Sequence, residues 1–229
     1  MSLLESLSKT IFGRAGVRPQ NVNNDGDAVP LRTMRDGSPI VSDWINALSL
    51  DGRVFMAHFG TLDTGVALQT SFTATLPSLA VQVPDSVIAI PLYYEIQVVA
   101  SGAAIFHTHL AISPVKVLAA SAGAFTAVTP LNVRLGHTRA TACQAGHTVT
   151  TTGGDYTTGA VYLTHRGNQG DLDATAIDAF YSWSVRNMAY LPMVEDGGSI
   201  VVFAYNGTSG TAFAKLVWAE VEKDWLRTL

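Results

Sequence analysis

The chain has 229 residues, 48% of them hydrophobic and only 14% charged, where an average soluble domain is about 25% charged. Its net charge is −4 and it has no basic block, which excludes wide nucleic-acid binding through a positive stripe. Cys143 is the single cysteine, so a module built on intrachain disulfides is excluded as well.

At the N-terminus, Leu3, Leu4, Leu7 and Ile11 follow helical spacing and predict a short amphipathic helix over 2–12. No long apolar run with a small-residue cleavage site accompanies them, so no secretory signal is expected. Residues 13–39, "GRAGVRPQNVNNDGDAVPLRTMRDGSP", are rich in Gly, Pro, Asn and Asp. They read as an extended arm without a core of its own. Inside the arm, Asn21, Asn23, Asp25, Gly26 and Asp27 imitate the opening of an EF-hand, but Arg32 stands where the bidentate Glu belongs. That excludes an EF-hand and leaves open a looser Ca²⁺ site shared between subunits.

From about residue 40 the pattern is strand after strand. Val66, Leu68, Phe72, Ala74 and Leu76 alternate as one face of a strand. In "SVIAIPLYYEIQVV" (86–99), Ile88, Ile90, Leu92, Tyr94, Ile96 and Val98 form one face, and Pro91 argues for an edge or a bulge. Further strands are expected at 53–59, 104–112, 146–151, 159–165, 180–191, 199–205 and 211–222. "NGTSG" (206–210) reads as a hairpin turn between the last two, so the sequon at Asn206 is taken as part of that turn. Residues 171–179, "DLDATAIDA", suggest a short helix capped by Asp171, with 171–190 open between helix and strand. The uncharged stretches 64–84 and 96–115 alternate and are broken by polar residues, which suits strands and not a membrane span. Long loops at 113–130 and 166–178 separate some strands. The expected fold is an all-β antiparallel sandwich of jelly-roll (Greek-key) topology, with an arm at 1–39 and one β-sandwich domain at 40–229.

"AIFHTHLAI" (104–112) carries the one constellation that suggests chemistry. His107 and His109, two apart on a strand, share a face, and an H-x-H pair on a strand opens the metal site of cupin-type jelly rolls. Gly102 stands five residues before His107, near the cupin pattern. However, Ser113 and Pro114 occupy the positions where that pattern has a Glu, and His137, His147 and His165 lack the P-x-G context of its third His. A divalent ion needs three or four ligands. The pair is therefore read as the polar face of a half-buried strand, with Phe106, Leu110 and Ile112 turned to the core. Cys143, four residues before His147, reads as a small structural residue. "GTSGT" (207–211) is no nucleophile elbow, and no Gly-rich loop in a βαβ context supports nucleotide binding. Tyr181, Trp183, Trp218 and Trp225 have no interleaved Lys or Arg and read as core or interface anchors. No catalytic, cofactor-binding or metal-ligating residue is assigned, and no enzyme activity or cofactor is expected.

Between Val54 and Val133 only Asp63, Asp85, Glu95 and Lys116 carry charge. A surface that poor in charge suggests burial against copies of itself. With the arm over 1–39 and strands over 40–222, the chain resembles the jelly-roll coat proteins of icosahedral viruses. The resemblance implies a capsid subunit of a virion, such as that of a bacterial virus, that assembles through its apolar flanks and arm. Its partners would be copies of itself and other virion proteins. The arm sets Lys9, Arg14, Arg18, Arg32 and Arg35 against Glu5, Asp25, Asp27 and Asp36, so direct nucleic-acid contact is expected to be weak or absent. Two other readings stand beside this one. They are a trimeric receptor- or ligand-binding β module and a cupin-like metal-dependent enzyme using His107 and His109.

Overall fold

The computed structural model describes residues 43–61, 63–101, 106–116, 125–150, 155–167, 180–207 and 210–223. The helices expected at 2–12 and 171–179, the arm with its Asn/Asp cluster, and Trp225 lie outside the described residues. Leu48–Lys223 forms one compact unit.

The described chain opens with a short helix, α1 (Trp44–Leu50). Its end is closed by two backbone bonds, from the Gly52 N–H to the Ser49 carbonyl at 3.1 Å and from the Arg53 N–H to the Leu48 carbonyl at 2.9 Å. That closure requires left-handed backbone, and Gly52 supplies it at φ 68°.

Twelve strands follow, and every pairing between them is antiparallel. They are β1 (Val54–Phe59), β2 (Val66–Ala67), β3 (Leu79–Gln82), β4 (Val87–Ser101), β5 (Phe106–Ser113) and β6 (Thr126–Val128). Then come β7 (Leu131–Asn132), β8 (Gln144–His147), β9 (Val161–Gly167), β10 (Phe180–Ser184), β11 (Ser199–Asn206) and β12 (Gly210–Glu222). The first sheet runs β10-β4-β12-β1-β7, with β2 also on β12; the second runs β6-β8-β3-β11-β5-β9. Four nested pairs make the frame: β1 with β12, β3 with β11, β4 with β10, and β5 with β9.

The sheets pack face to face, as an all-β sandwich requires. Tyr94 on β4 and Thr108 on β5 share a buried hydrogen bond of 2.6 Å across the gap. Phe106 on β5 meets Tyr181 on β10 with ring centres 5.6 Å apart. Leu79, Val81, Leu110, Ile200 and Val202 from the second sheet face Phe55, Ile96, Leu216 and Trp218 from the first, all buried. The outer face of the second sheet holds a smaller core, in which Ala80, Ala111, Val201 and Phe203 lie under Val149 and Tyr156.

Several expected elements are corrected by this layout. β11 belongs to the second sheet and β12 to the first, so "NGTSG" crosses between sheets and is not a hairpin; Thr208 and Ser209 themselves lie outside the described residues. The strand expected over 66–76 is only Val66–Ala67. Beyond it the Gln69 side-chain amide donates to the Leu76 carbonyl and closes the segment into a loop. The strand expected over 180–191 stops at Ser184, where a 3₁₀ turn (Val185–Asn187) begins. That expected over 146–151 ends at His147, because Thr148 turns to φ 51°. Pro91 marks a bulge, as one of its two readings anticipated, but on an interior strand. The register with β12 slips there, so Trp218 opposes Pro91 while Val217 opposes Tyr93. The slip breaks the expected face of β4: Ile88 and Ile90 pair with Val221 and Ala219, on the side opposite Tyr94.

Candidate functional site

His107 and His109 lie on the outer face of the second sheet, because Phe106, Thr108 and Leu110 take the alternate positions toward the core. Pairing then fixes their neighbours. His109 stands opposite Phe203 on one side and His165 on the other, and His107 stands opposite Tyr205. The His109 and His165 rings are 4.0 Å apart, and the His107 ring stacks on Tyr205 at 4.9 Å. Phe72, from the loop closed by Gln69, sets its ring edge-on to His109 at 6.0 Å and packs on Phe203 at 5.1 Å. His109 is thereby only 3% exposed.

The electrostatics follow from this enclosure. One His109 nitrogen, Nε2, lies 3.3 Å from the Tyr205 hydroxyl, and Nδ1 is buried without a partner. Burial, and then the neighbouring His165 and His107, push His109 down to about 4. Burial likewise raises the Tyr205 phenol. The His107 ring stacks on Tyr205, and the His109 and His165 rings meet at a tilt of 46°. Among the described residues, no three His, Cys, Asp or Glu side chains are grouped to hold a metal ion. His147 sits apart, beside Phe59 at 6.2 Å, and the Gly52 backbone touches the ring of His137 at the other sheet.

Cys143 is buried, and burial together with the Glu220 carboxylate pushes its thiol up, away from nucleophilic thiolate. Glu220 itself is a buried anchor. Its carboxylate accepts from Trp218 Nε1 at 3.0 Å, from the Ala142 N–H at 2.8 Å and from the Thr141 hydroxyl. It ties β12 to the strand-entry segment of the second sheet. The alternation Leu216, Trp218, Glu220 places this acid on the buried face, a signal present in the sequence and passed over.

The outer face of the first sheet carries an open groove of about 630 Å³ between β1, β4 and β12. On its floor Lys215 and Glu95 pair at 2.8 Å, and Tyr93 donates to Glu95 at 2.6 Å. Partial burial of Glu95 works toward a higher value, but Lys215 and Tyr93 outweigh it and hold the carboxyl below its usual range. The groove's charges are thus already satisfied within the protein.

The two edges of the first sheet are apolar instead. At the β7 edge Leu131, Val133 and Leu135 are exposed, Leu135 to 93%. At the β10 edge Phe180 is 56% exposed. That edge continues past β10 through Tyr190, Leu191 and Met193, since Val194 bridges to Ala89 of β4. None of these residues stood out in the sequence, because exposure at an edge depends on strand order.

No protein-family model matches the chain, and no curated protein matches it. Among the described residues, no helix is long and apolar enough to cross a membrane.

Proposed function

We propose that this chain is a jelly-roll subunit of an icosahedral virus shell, and that its work is mechanical. The nesting of strand pairs supports the jelly roll, and the apolar sheet edges carry the choice of a shell. Counted along the chain, the eight frame strands pair first with last, second with seventh, third with sixth and fourth with fifth. A two-stranded ribbon of four such pairs, folded over on itself, makes two Greek keys, an arrangement used by capsid proteins, lectins and cupins alike. Fold alone does not choose among these.

The surface argues for the shell. A lectin or an enzyme concentrates polar groups in a concave site, whereas here the groove's ion pair is satisfied internally and the apolar side chains collect at sheet edges. Buried between copies, that surface stabilises by roughly 25 cal/mol per Å², and symmetry repeats each modest contact many times.

The test is the mass of the full chain by size exclusion with light scattering, with negative-stain microscopy of the same fractions. Shells or capsomer-sized rings are the expected result. A strict monomer refutes the proposal. A trimer that never grows would favour a compact receptor- or ligand-binding module, and one equivalent of bound metal lost on replacing His107 and His109 together by Ala would favour a cupin-like enzyme.

A further inference from the structure

We propose that copies of this chain join head to tail, the β7 edge of the first sheet in one copy meeting the β10 edge of the next. This rests on the shell reading and names the surfaces that build the shell. The strand order sets β7 and β10 at opposite ends of one sheet, and among the described residues neither has a strand on its outer side. An unpaired edge with exposed apolar side chains invites association unless something blocks it.

The two edges differ, and they complement each other. Beside Leu135 stands Arg134, whose guanidinium bonds to the Leu50 carbonyl. The turn that follows Met193 carries Glu195, which is exposed. One edge therefore offers Leu131, Val133 and Leu135 with the cation Arg134, and the other Phe180, Leu191 and Met193 with the anion Glu195 beside Arg186, which is already engaged within the chain. An isologous dimer needs one self-complementary patch. Two unlike patches on opposite edges, with Arg134 at one and Glu195 at the other, instead give a heterologous contact, which closes into a ring when its rotation divides a full turn. The occupant of each edge is accordingly a second copy of this chain, since the chain itself supplies both halves. A stable contact takes about 800 Å² from each partner, so these side chains form its centre, with flanking loops as the rim.

The experiment uses the full chain with Leu135→Asp or Phe180→Asp. Both side chains are largely exposed, so circular dichroism should show both variants folded. Each variant alone should run as a monomer where the wild type assembles. Each also keeps one intact edge, so an equimolar mixture should form a one-to-one heterodimer that grows no further. A charge pair gives an independent reading: Arg134→Glu should weaken assembly at least tenfold, and adding Glu195→Arg should restore it. Variants that assemble like the wild type, a mixture that stays monomeric, or a charge swap without rescue would each overturn this contact while leaving shell assembly standing. A wild type that is itself monomeric overturns the shell reading and this contact together.

Discussion

His109 makes the stability of the second sheet depend on acid. In the folded protein its imidazole is held down to about 4, first by burial and then by His165 and His107, against an ordinary value of 6.5. The groups around it are Phe72, Phe203, Tyr205, Tyr162, His107 and His165, and none of these is a carboxylate that would reward a proton. The unfolded chain therefore binds more protons than the native one between pH 6.5 and about 4. Stability present above the upper value falls as pH drops through this window and levels off below it. At pH 5 the unfolded imidazole is almost fully charged and the native one only about a tenth charged, a difference of about 2 kcal/mol by linkage. That figure is an upper bound, because His165 is open to solvent, which screens part of its repulsion. The assay is urea unfolding followed by tryptophan emission at pH 8 and pH 5, since Trp218 and Trp183 are buried reporters. Other groups also titrate, so the informative quantity is the difference between wild type and His109→Gln, which cannot take up the proton. The wild type should lose ~1–2 kcal/mol more than the variant on acidification. Phe72→Ala, which uncovers the ring, should shrink that gap. Equal pH dependence in wild type and His109→Gln would refute the reasoning.

Glu220→Gln should cost about 2–4 kcal/mol in the same unfolding assay, because the amide NH₂ then opposes either the Ala142 N–H or the donors of Trp218 and Cys143 in a buried site, and the charge that all of them bond to is lost. Trp218 emission should shift with it. Gly52→Ala should lower the melting temperature. It forces a side chain into left-handed backbone at φ 68° and sets a Cβ 2.3 Å from the His137 ring, costing upwards of ~1 kcal/mol. An unchanged melting temperature would mean that the turn after α1 relaxes freely.

What the sequence revealed and what it hid divide along physical lines. Period-two alternation is local, so it located β1, β4, β5, β9, β11 and β12 and placed Phe106 and Leu110 inward with His107 and His109 outward. The same alternation failed where one residue changes the register. Leu92, looped out beside Pro91, moves Ile88 and Ile90 to the other side of the sheet, and alternation cannot see a bulge's partner. It failed again at 66–76, where a side-chain amide from Gln69 replaces the ladder. Partnership between distant strands was beyond reach altogether. His165 and Tyr205 are 56 and 96 residues from His109 in the chain, and they meet it only because β9 and β11 flank β5.

The same pairing explains how the histidines are packed. An imidazole on the outer face of an interior strand has neighbours on both sides, and here the neighbours are rings. Three imidazoles and a phenol stack under Phe72, with one nitrogen of His109 left without a partner. A buried nitrogen without a partner costs about 1–3 kcal/mol, while packing His109 against four aromatic neighbours offsets part of that cost. Charging the ring removes the balance, since the cation is less tolerable in the same enclosure than the neutral form. The cluster therefore acts on stability through pH, while the association proposed above is left to the sheet edges. Acid should loosen the loop around Phe72 in a protein whose β7 and β10 edges stay intact. The two effects separate cleanly: His109→Gln should leave assembly at pH 8 unchanged and Leu135→Asp should leave the pH slope of unfolding unchanged. If either variant moved both, the second sheet and the edges of the first would be mechanically coupled, and the division of labour drawn here would be wrong.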